Sequence, residues 1–122
     1  MGITAKQGRI VEAMGAISRL RKMAKGADAL ALFRLRNALQ EHVDFQAEEE
    51  RKLIDEYGGT ILENGMVRIK DADKRARFNE EYRKLLNLEV EIKADPVTIN
   101  VSKLPEITLE DIEHLNGIVN FK

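Results

Sequence analysis

The chain has 122 residues and a mass of 13.9 kDa, which suffices for one hydrophobic core but not for two. It is 43% hydrophobic and 34% charged with only 2 prolines, a composition that argues against a disordered chain. The absence of cysteine excludes disulfides, thiol nucleophiles and thiolate metal sites, and 2 histidines leave little material for a His-based site. We therefore expect one domain over residues 1–122, without catalytic residues, metal ligands or cofactors.

The apolar runs of the sequence are short, and its N-terminus lacks the apolar stretch of a signal peptide. We accordingly expect a cytoplasmic protein that does not enter a membrane.

Charge is divided unevenly along the chain, although the net charge is only -1. Residues 1–36 carry eight basic and two acidic side chains, whereas residues 37–57 carry two basic and seven acidic ones. One interpretation is a phosphate-binding surface for nucleic acid or a nucleotide. The favoured interpretation is pairing of the basic and acidic stretches within the fold, with Arg9 beside residues 41–48, or across an oligomer. A pI of 6.2 and the lack of interleaved aromatic residues support it.

Two antiparallel helices are predicted in the N-terminal half, residues 1–58. Apolar residues at spacings of three and four predict a first helix over residues 5–24. Gly8 and Gly15 lie within this pattern, so either the helix begins late or Gly15 allows another backbone to approach closely. Asp28 as N-cap and Gly58-Gly59 as terminator predict a second helix over residues 28–57. Residues 25–27 would form the turn between them.

The second predicted helix is longer than the first by about 10 residues and spans roughly 45 Å. Its second half therefore needs cover from the C-terminal region or from a second copy of the chain. The apolar seam also becomes polar at Gln46, Glu49 and Glu50. We expect this polar turn either to face solvent or to contact a basic partner.

Residues 59–122 are predicted to form a small α+β unit. Asn64-Gly65 between two β-prone runs predicts a hairpin, and Asp71 caps a third helix with its apolar face at Phe78 and Leu85. Residues 89–102 alternate as strands, Thr108 begins a short helix, and residues 118–121 add a strand. The expected fold is α+β, in the order α-α-β-β-α-β-β-α-β: a helical hairpin followed by a small β-sheet with two further helices.

Candidate chemical groups are few. His42 is expected to form a hydrogen bond at the helix seam, and His114 a surface pair with Glu110. Aromatic and basic residues could hold a nucleotide by stacking and phosphate contact. The candidate ligand-binding residues are Tyr57, Arg68, Arg75 and Tyr82.

Four segments carry a resemblance to a known group of proteins. They are EEERKLIDEYG (Glu48 to Gly58), ENG (Glu63 to Gly65), FNEEYRKLLNLEVEI (Phe78 to Ile92) and ITLEDIEHLNGIVNF (Ile107 to Phe121). In the order of these segments and in their general residue pattern, the chain resembles small uncharacterised proteins encoded by tailed bacteriophages and prophages. The resemblance implies a phage accessory or assembly factor in the host cytoplasm, and it transfers no functional residue.

The leading prediction is a non-enzymatic interaction protein that forms a dimer or higher homo-oligomer through the first two helices. Charge pairing between Arg9, Arg19 and Lys22 and the run Glu48–Glu50 would set the register. The full set of candidate interaction residues is Arg9, Arg19, Arg21, Lys22, Lys25, Glu48, Glu49 and Glu50. Two alternatives stay open: an antagonist of host defence that binds a nucleotide signal or a host protein, and nucleic-acid binding by the basic first helix.

Overall fold

A computed structural model describes residues 3–122 and confirms the α+β fold with its N-terminal helix pair. The helices are α1 (Gln7–Leu20), α2 (Gly26–Glu56), α3 (Ala72–Asn87) and α4 (Leu109–His114). The strands are β1 (Ile3–Lys6), β2 (Thr60–Ile61), β3 (Val67–Arg68), β4 (Glu89–Ile92), β5 (Val97–Ile99) and β6 (Val119–Phe121), and Val101–Lys103 form a 3-10 turn.

The first helix is shorter at both ends than predicted. Residues 3–6 form β1, which pairs antiparallel with β4 so that Ile3 lies opposite Ile92 and Ala5 opposite Val90. Ala5 and Ile92 are buried. The helix therefore begins late, which was one of the two alternatives that the glycines left open. Residues 5 and 6 were included in the predicted helix because one turn of apolar spacing does not distinguish a helix from a strand that finds a distant partner.

The second helix has 31 residues, equivalent to about 46 Å. It begins at Gly26 with Lys25 at the N-cap position, where no side chain caps the helix. Asp28 was therefore wrongly predicted as the cap; it lies in the first turn, where its charge favours the positive end of the helix dipole. The predicted end is confirmed, because Gly58 follows the helix with a φ of +66°.

The core forms where α1 crosses α2. Ile10, Ile17 and Leu20 of α1 and Leu32 and Leu35 of α2 have no exposed surface. The same cluster of buried residues extends into the C-terminal half of the chain. Its further members include Ile92, Ile99, Leu104, Leu115, Ile118 and Val119.

The close helix approach occurs at Gly8 and not at Gly15. A Cβ atom at Gly8 would lie 3.2 Å from both Cβ and the carbonyl oxygen of Leu86 in α3. At Gly15 the nearest atom would be Nη1 of Arg19, at 3.9 Å. Gly8 therefore allows α1 to pack directly on the backbone of α3.

The second half of α2 is covered on one side by α3. Phe78 and Leu85 are the buried residues of α3. Gln46, expected in solvent or against a basic partner, is 7% exposed and forms hydrogen bonds with Gln7 and Glu50 of the same chain. That expectation was wrong because α3 folds back along α2, a pairing that helix length does not reveal.

The strands form three separate two-stranded pieces among residues 3–122 and not the single small sheet predicted. The pieces are β1 with β4, β2 with β3, and β5 with β6, of which the last is parallel. The predicted strand also ends before residue 101, because the Asn100 side chain accepts a hydrogen bond from the Ser102 amide and starts the 3-10 turn.

Three local predictions in the C-terminal half are confirmed. Gly65 has a φ of +83° in the turn between β2 and β3. Asp71 caps α3 by accepting hydrogen bonds from the amides of Asp73 and Lys74. Thr108 caps α4 in a reciprocal capping box with Asp111.

In the part of the chain that the structure describes, no helix has the length and apolar character to cross a bilayer.

Candidate functional site

Two of the candidate basic residues, Arg9 and Arg19, contact α4 and not the acidic part of α2. Arg9 Nη2 donates to the carbonyl oxygens of Asn116 at 2.6 Å and Glu113 at 3.3 Å. The guanidinium of Arg19 donates from Nε to Oδ1 of Asp111 at 2.8 Å and also from Nη2 to the same oxygen. The expected position of Arg9 beside residues 41–48 was therefore wrong, because α4 and not α2 lies along this side of α1.

The Arg19–Asp111 ion pair is asymmetric in exposure. The side chain of Asp111 is 2% exposed and that of Arg19 is 51% exposed. Desolvation raises the pKa of Asp111, but hydrogen bonds from Arg19 and Thr108 outweigh it, so the pKa lies below its ordinary value. The pair thus holds α4 against α1 with a charged carboxylate.

The other candidate basic residues lie at the end of α1 and in the turn that follows. The guanidinium of Arg21 lies 5.4 Å from the ring centre of Phe33, a cation-π contact. Lys22 and Lys25 are exposed. These three cations, and not Arg9 or Arg19, are the basic charges of the predicted set that remain available to a partner.

The acidic run Glu48–Glu50 is divided between solvent and a polar network. Glu48 is exposed, whereas Glu50 Oε1 accepts hydrogen bonds from Gln46 Nε2 at 3.0 Å and from the Tyr82 hydroxyl at 2.9 Å. Glu49 lies 3.6 Å from Lys52. Only Glu48 of the run points fully outward, so the run as a whole does not form an interaction surface.

One face of α2 is exposed along most of the length of the helix. We call it the α2 face and define it as Leu30, Phe33, Arg34, Asn37, Glu41, Asp44 and Glu48, all of which are exposed. Leu30 is 48% and Phe33 43% exposed. The first half of the face is apolar and basic, and the second half is acidic.

A buried polar network joins α1, α2 and α3, and the sequence did not predict it. Gln7, with no exposed surface, donates from Nε2 to the His42 carbonyl oxygen at 2.8 Å and to Gln46 Oε1 at 3.0 Å. From Gln46 the network continues through Glu50 to Tyr82. The only signal for this network in the sequence was Gln46, a polar residue in the apolar seam of α2. Gln7 gave no signal, because its position depends on the pairing of β1 with the distant strand β4.

The four candidate ligand-binding residues divide into two groups. Tyr57 and Arg68 line one cavity, whereas Arg75 donates to the Ile69 carbonyl oxygen and Tyr82 to Glu50. Burial and the Glu50 hydrogen bond raise the pKa of Tyr82 to about 12. Arg75 and Tyr82 therefore serve the fold, and only Tyr57 and Arg68 stay together as predicted.

The cavity of Tyr57 and Arg68, here the hairpin cavity, lies between the end of α2, the β2–β3 hairpin and the start of α3. Its volume is about 340 Å³. Tyr57 is fixed by an edge-on contact with Phe78, with ring centres 6.5 Å apart. Polar side chains dominate the lining, namely Tyr57, Thr60, Arg68, Lys70, Asp71 and Lys74. Lys70 and Lys74 were missed, although Arg68 and Lys70 are two residues apart in the β-prone run after Asn64-Gly65, a spacing that puts two residues on one side of a strand.

A wider cleft of about 630 Å³ lies between α2 and the turn that joins β4 to β5. It is lined by the cations Arg34 and Lys93 and by the carboxylates Glu91 and Asp95. This mixture of charges favours no single class of ligand.

The two histidines contact neighbouring groups. His42 Nε2 lies 3.1 Å from the Glu91 carbonyl oxygen, which confirms the hydrogen bond predicted at the helix seam. His114 Nε2 lies 3.9 Å from Glu110. Within residues 3–122, histidine, aspartate and glutamate side chains form no group of three that could hold a metal ion.

Comparison with protein-family models, with curated proteins and with solved structures finds no significant match for this chain. The resemblance to phage proteins therefore stays a prediction.

Proposed function

We propose that the protein is a non-enzymatic interaction module that forms a homodimer through the α2 face. The observation that carries the proposal is the order of side chains along this face. Exposed Leu30, Phe33 and Arg34 occupy its first half, and exposed Glu41, Asp44 and Glu48 occupy its second half. A surface of this kind is complementary to a second copy of itself in the antiparallel direction.

The proposed dimer has its twofold axis near the middle of α2, level with Leu39. Arg34 and Asp44 lie at equal distances along the chain on either side of Leu39. An antiparallel second copy thus brings its Asp44 level with Arg34, and its acidic half level with the basic end of the helix pair. Lys22 and Lys25 strengthen the positive charge at that end.

The expected affinity is modest. The apolar contribution comes mainly from Leu30 and Phe33, at about 25 cal/mol per Å² removed from water, and exposed ion pairs add up to about 1 kcal/mol each. An interface along one helix lies at the small end of specific interfaces. We therefore expect a reversible dimer with a dissociation constant on the order of micromolar.

Sedimentation velocity tests the proposal at protein concentrations from about 1 to 300 μM, a range on the order of the expected dissociation constant. The unmodified chain is compared with variants in which the charges of Arg34 and Asp44 are reversed. Arg34→Glu and Asp44→Arg should each weaken the dimer about tenfold, because like charges then meet across the twofold axis. The double variant should recover most of the affinity. Arg77→Glu, at an exposed position of α3 outside the α2 face, is the matched control and should dimerise like the unmodified chain.

Two results would contradict the proposal. One is a species of 13.9 kDa at every concentration and salt condition. The other is a dimer that both single variants leave unchanged, since another surface would then carry the association.

The biological setting is proposed on the sequence resemblance alone. A phage accessory or assembly factor that works in the host cytoplasm would use such a module to bind copies of itself or a phage or host protein. Nucleic-acid binding by α1 is the less favoured role, because Arg9 and Arg19 are engaged with α4.

A further inference from the structure

We infer that the hairpin cavity binds a phosphate-bearing small molecule. Arg68, Lys70 and Lys74 line this cavity of about 340 Å³ together with the single carboxylate of Asp71. The four side chains sum to a charge of +2 at neutral pH. None of the three cations takes part in an ion pair within residues 3–122.

The carboxylate of Asp71 is committed to the fold. Its Oδ1 accepts hydrogen bonds from the amides of Asp73 at 2.9 Å and Lys74 at 3.1 Å, which caps α3. Those two amides are consequently not available to a ligand, so the cations and not the helix terminus would recognise the anion. Three positive charges around one concave surface repel one another, and a bound dianion relieves that repulsion.

The remaining lining indicates the size and type of the ligand. A volume of about 340 Å³ lies near the lower limit of small-molecule sites, about 300 Å³, which suits a compact phosphate ester. Tyr57 and Thr60 supply an aromatic ring and two hydroxyl groups beside the cations. Phe78 fixes the Tyr57 ring from the protein side, so the site is partly organised before a ligand arrives.

The hairpin cavity shares no residue with the α2 face. Binding in the cavity and dimerisation through α2 can therefore succeed or fail separately. A monomeric protein could still bind phosphate, and a dimer could lack the binding site.

Amide-resolved NMR titration of the full chain tests the inference with inorganic phosphate, AMP and adenosine at matched ionic strength. Phosphate and AMP should shift the amides of residues 57–60 and 68–74, and adenosine should not. Equal affinities for phosphate and AMP identify the free anion as the ligand class, whereas tighter binding of AMP identifies a nucleotide or similar ester.

Variants locate the binding. Arg68→Gln and Lys70→Gln should each weaken AMP or phosphate binding about tenfold, the loss expected for one charge-assisted hydrogen bond. Arg83→Gln, at an exposed position of α3 outside the cavity, is the matched control and should bind normally. All three positions are exposed, so the variants should fold. Two results would overturn the inference. One is that neither phosphate nor AMP binds at a ligand concentration of about 10 mM, which would detect binding far weaker than that of a typical cofactor. The other is that all variants bind equally well.

Discussion

Gln7 donates a hydrogen bond of 3.0 Å from its Nε2 to Oε1 of Gln46, at a place where both side chains are buried. The contact joins the first residue of α1 to the second half of α2, and Gln46 in turn donates to Glu50, which Tyr82 of α3 also contacts. One polar network thus fixes the positions of three helices. Because polar groups in an interior are costly when they lose a partner, the network also specifies the alignment of those helices.

Replacement of Gln7 by Leu should lower the free energy of unfolding by about 2 kcal/mol, since Gln46 Oε1 would lose its buried donor. The double variant Gln7→Leu with Gln46→Leu should lose less than the sum of the two single variants. Urea denaturation of all four proteins measures this coupling, expected at about 1 kcal/mol. Strict additivity would show that the two side chains do not act together.

Replacement of Asp111 by Asn should cost about 2 kcal/mol at neutral pH, because the ion pair with Arg19 is lost while the site stays buried. The folded protein holds the pKa of Asp111 below its ordinary value of 3.8. The ion pair's contribution to the free energy of unfolding is therefore complete above pH 3.8 and disappears as the pH falls through the folded pKa. Unfolding in urea at pH 7 and at pH 3 should therefore show a smaller difference between the variant and the unmodified chain at pH 3.

Glu113→Gln provides the control for that measurement, because Glu113 is exposed on the same helix. It should leave stability nearly unchanged at both pH values. A difference at Asp111 that does not depend on pH would mean that the loss comes from packing alone.

Tyr82 should make the fold sensitive to alkali. Its pKa is raised from 10.0 to about 12, first by burial and then by the hydrogen bond to Glu50. The contribution of neutral Tyr82 to stability is therefore complete below pH 10 and is lost as the pH rises from 10 towards 12. Stability measured between pH 9 and pH 11 should fall less steeply in Tyr82→Phe than in the unmodified chain.

Ultraviolet titration of tyrosinate gives a second measure, since the chain has 2 tyrosines. Tyr82→Phe should abolish the late ionisation near pH 12, and Tyr57→Phe should retain it. Persistence of that ionisation in Tyr82→Phe would contradict the assignment.

Two glycines of α1 should respond to alanine in opposite directions. Gly15→Ala should stabilise the protein by about 0.5 to 1 kcal/mol, because the position is exposed within a helix and the added Cβ would lie 3.9 Å from Nη1 of Arg19, an ordinary van der Waals distance. Gly8→Ala should destabilise it by about 1 kcal/mol, because the Cβ would meet Leu86 at 3.2 Å. Thermal unfolding of the two variants checks both signs, and stabilisation by both would show that α1 and α3 can separate without cost.

The sequence by itself determined which segments form helices and where three of the helix ends lie. Asp71, Thr108 and Gly58 were identified correctly because capping and left-handed turn conformations depend on a few adjacent residues. Apolar spacing likewise found the helix pair. These are local interactions, so the residues that cause them stand next to one another in the chain.

Tertiary structure alone decided which elements meet. It paired β1 with β4, laid α3 along α2 and placed Asp111 beside Arg19, a contact that spans 92 residues of sequence. It also separated Arg75 and Tyr82 from Tyr57 and Arg68, and added Lys70 and Lys74 to the latter. Such contacts depend on how whole faces of helices and strands fit together, and the pattern within any one segment is compatible with several partners.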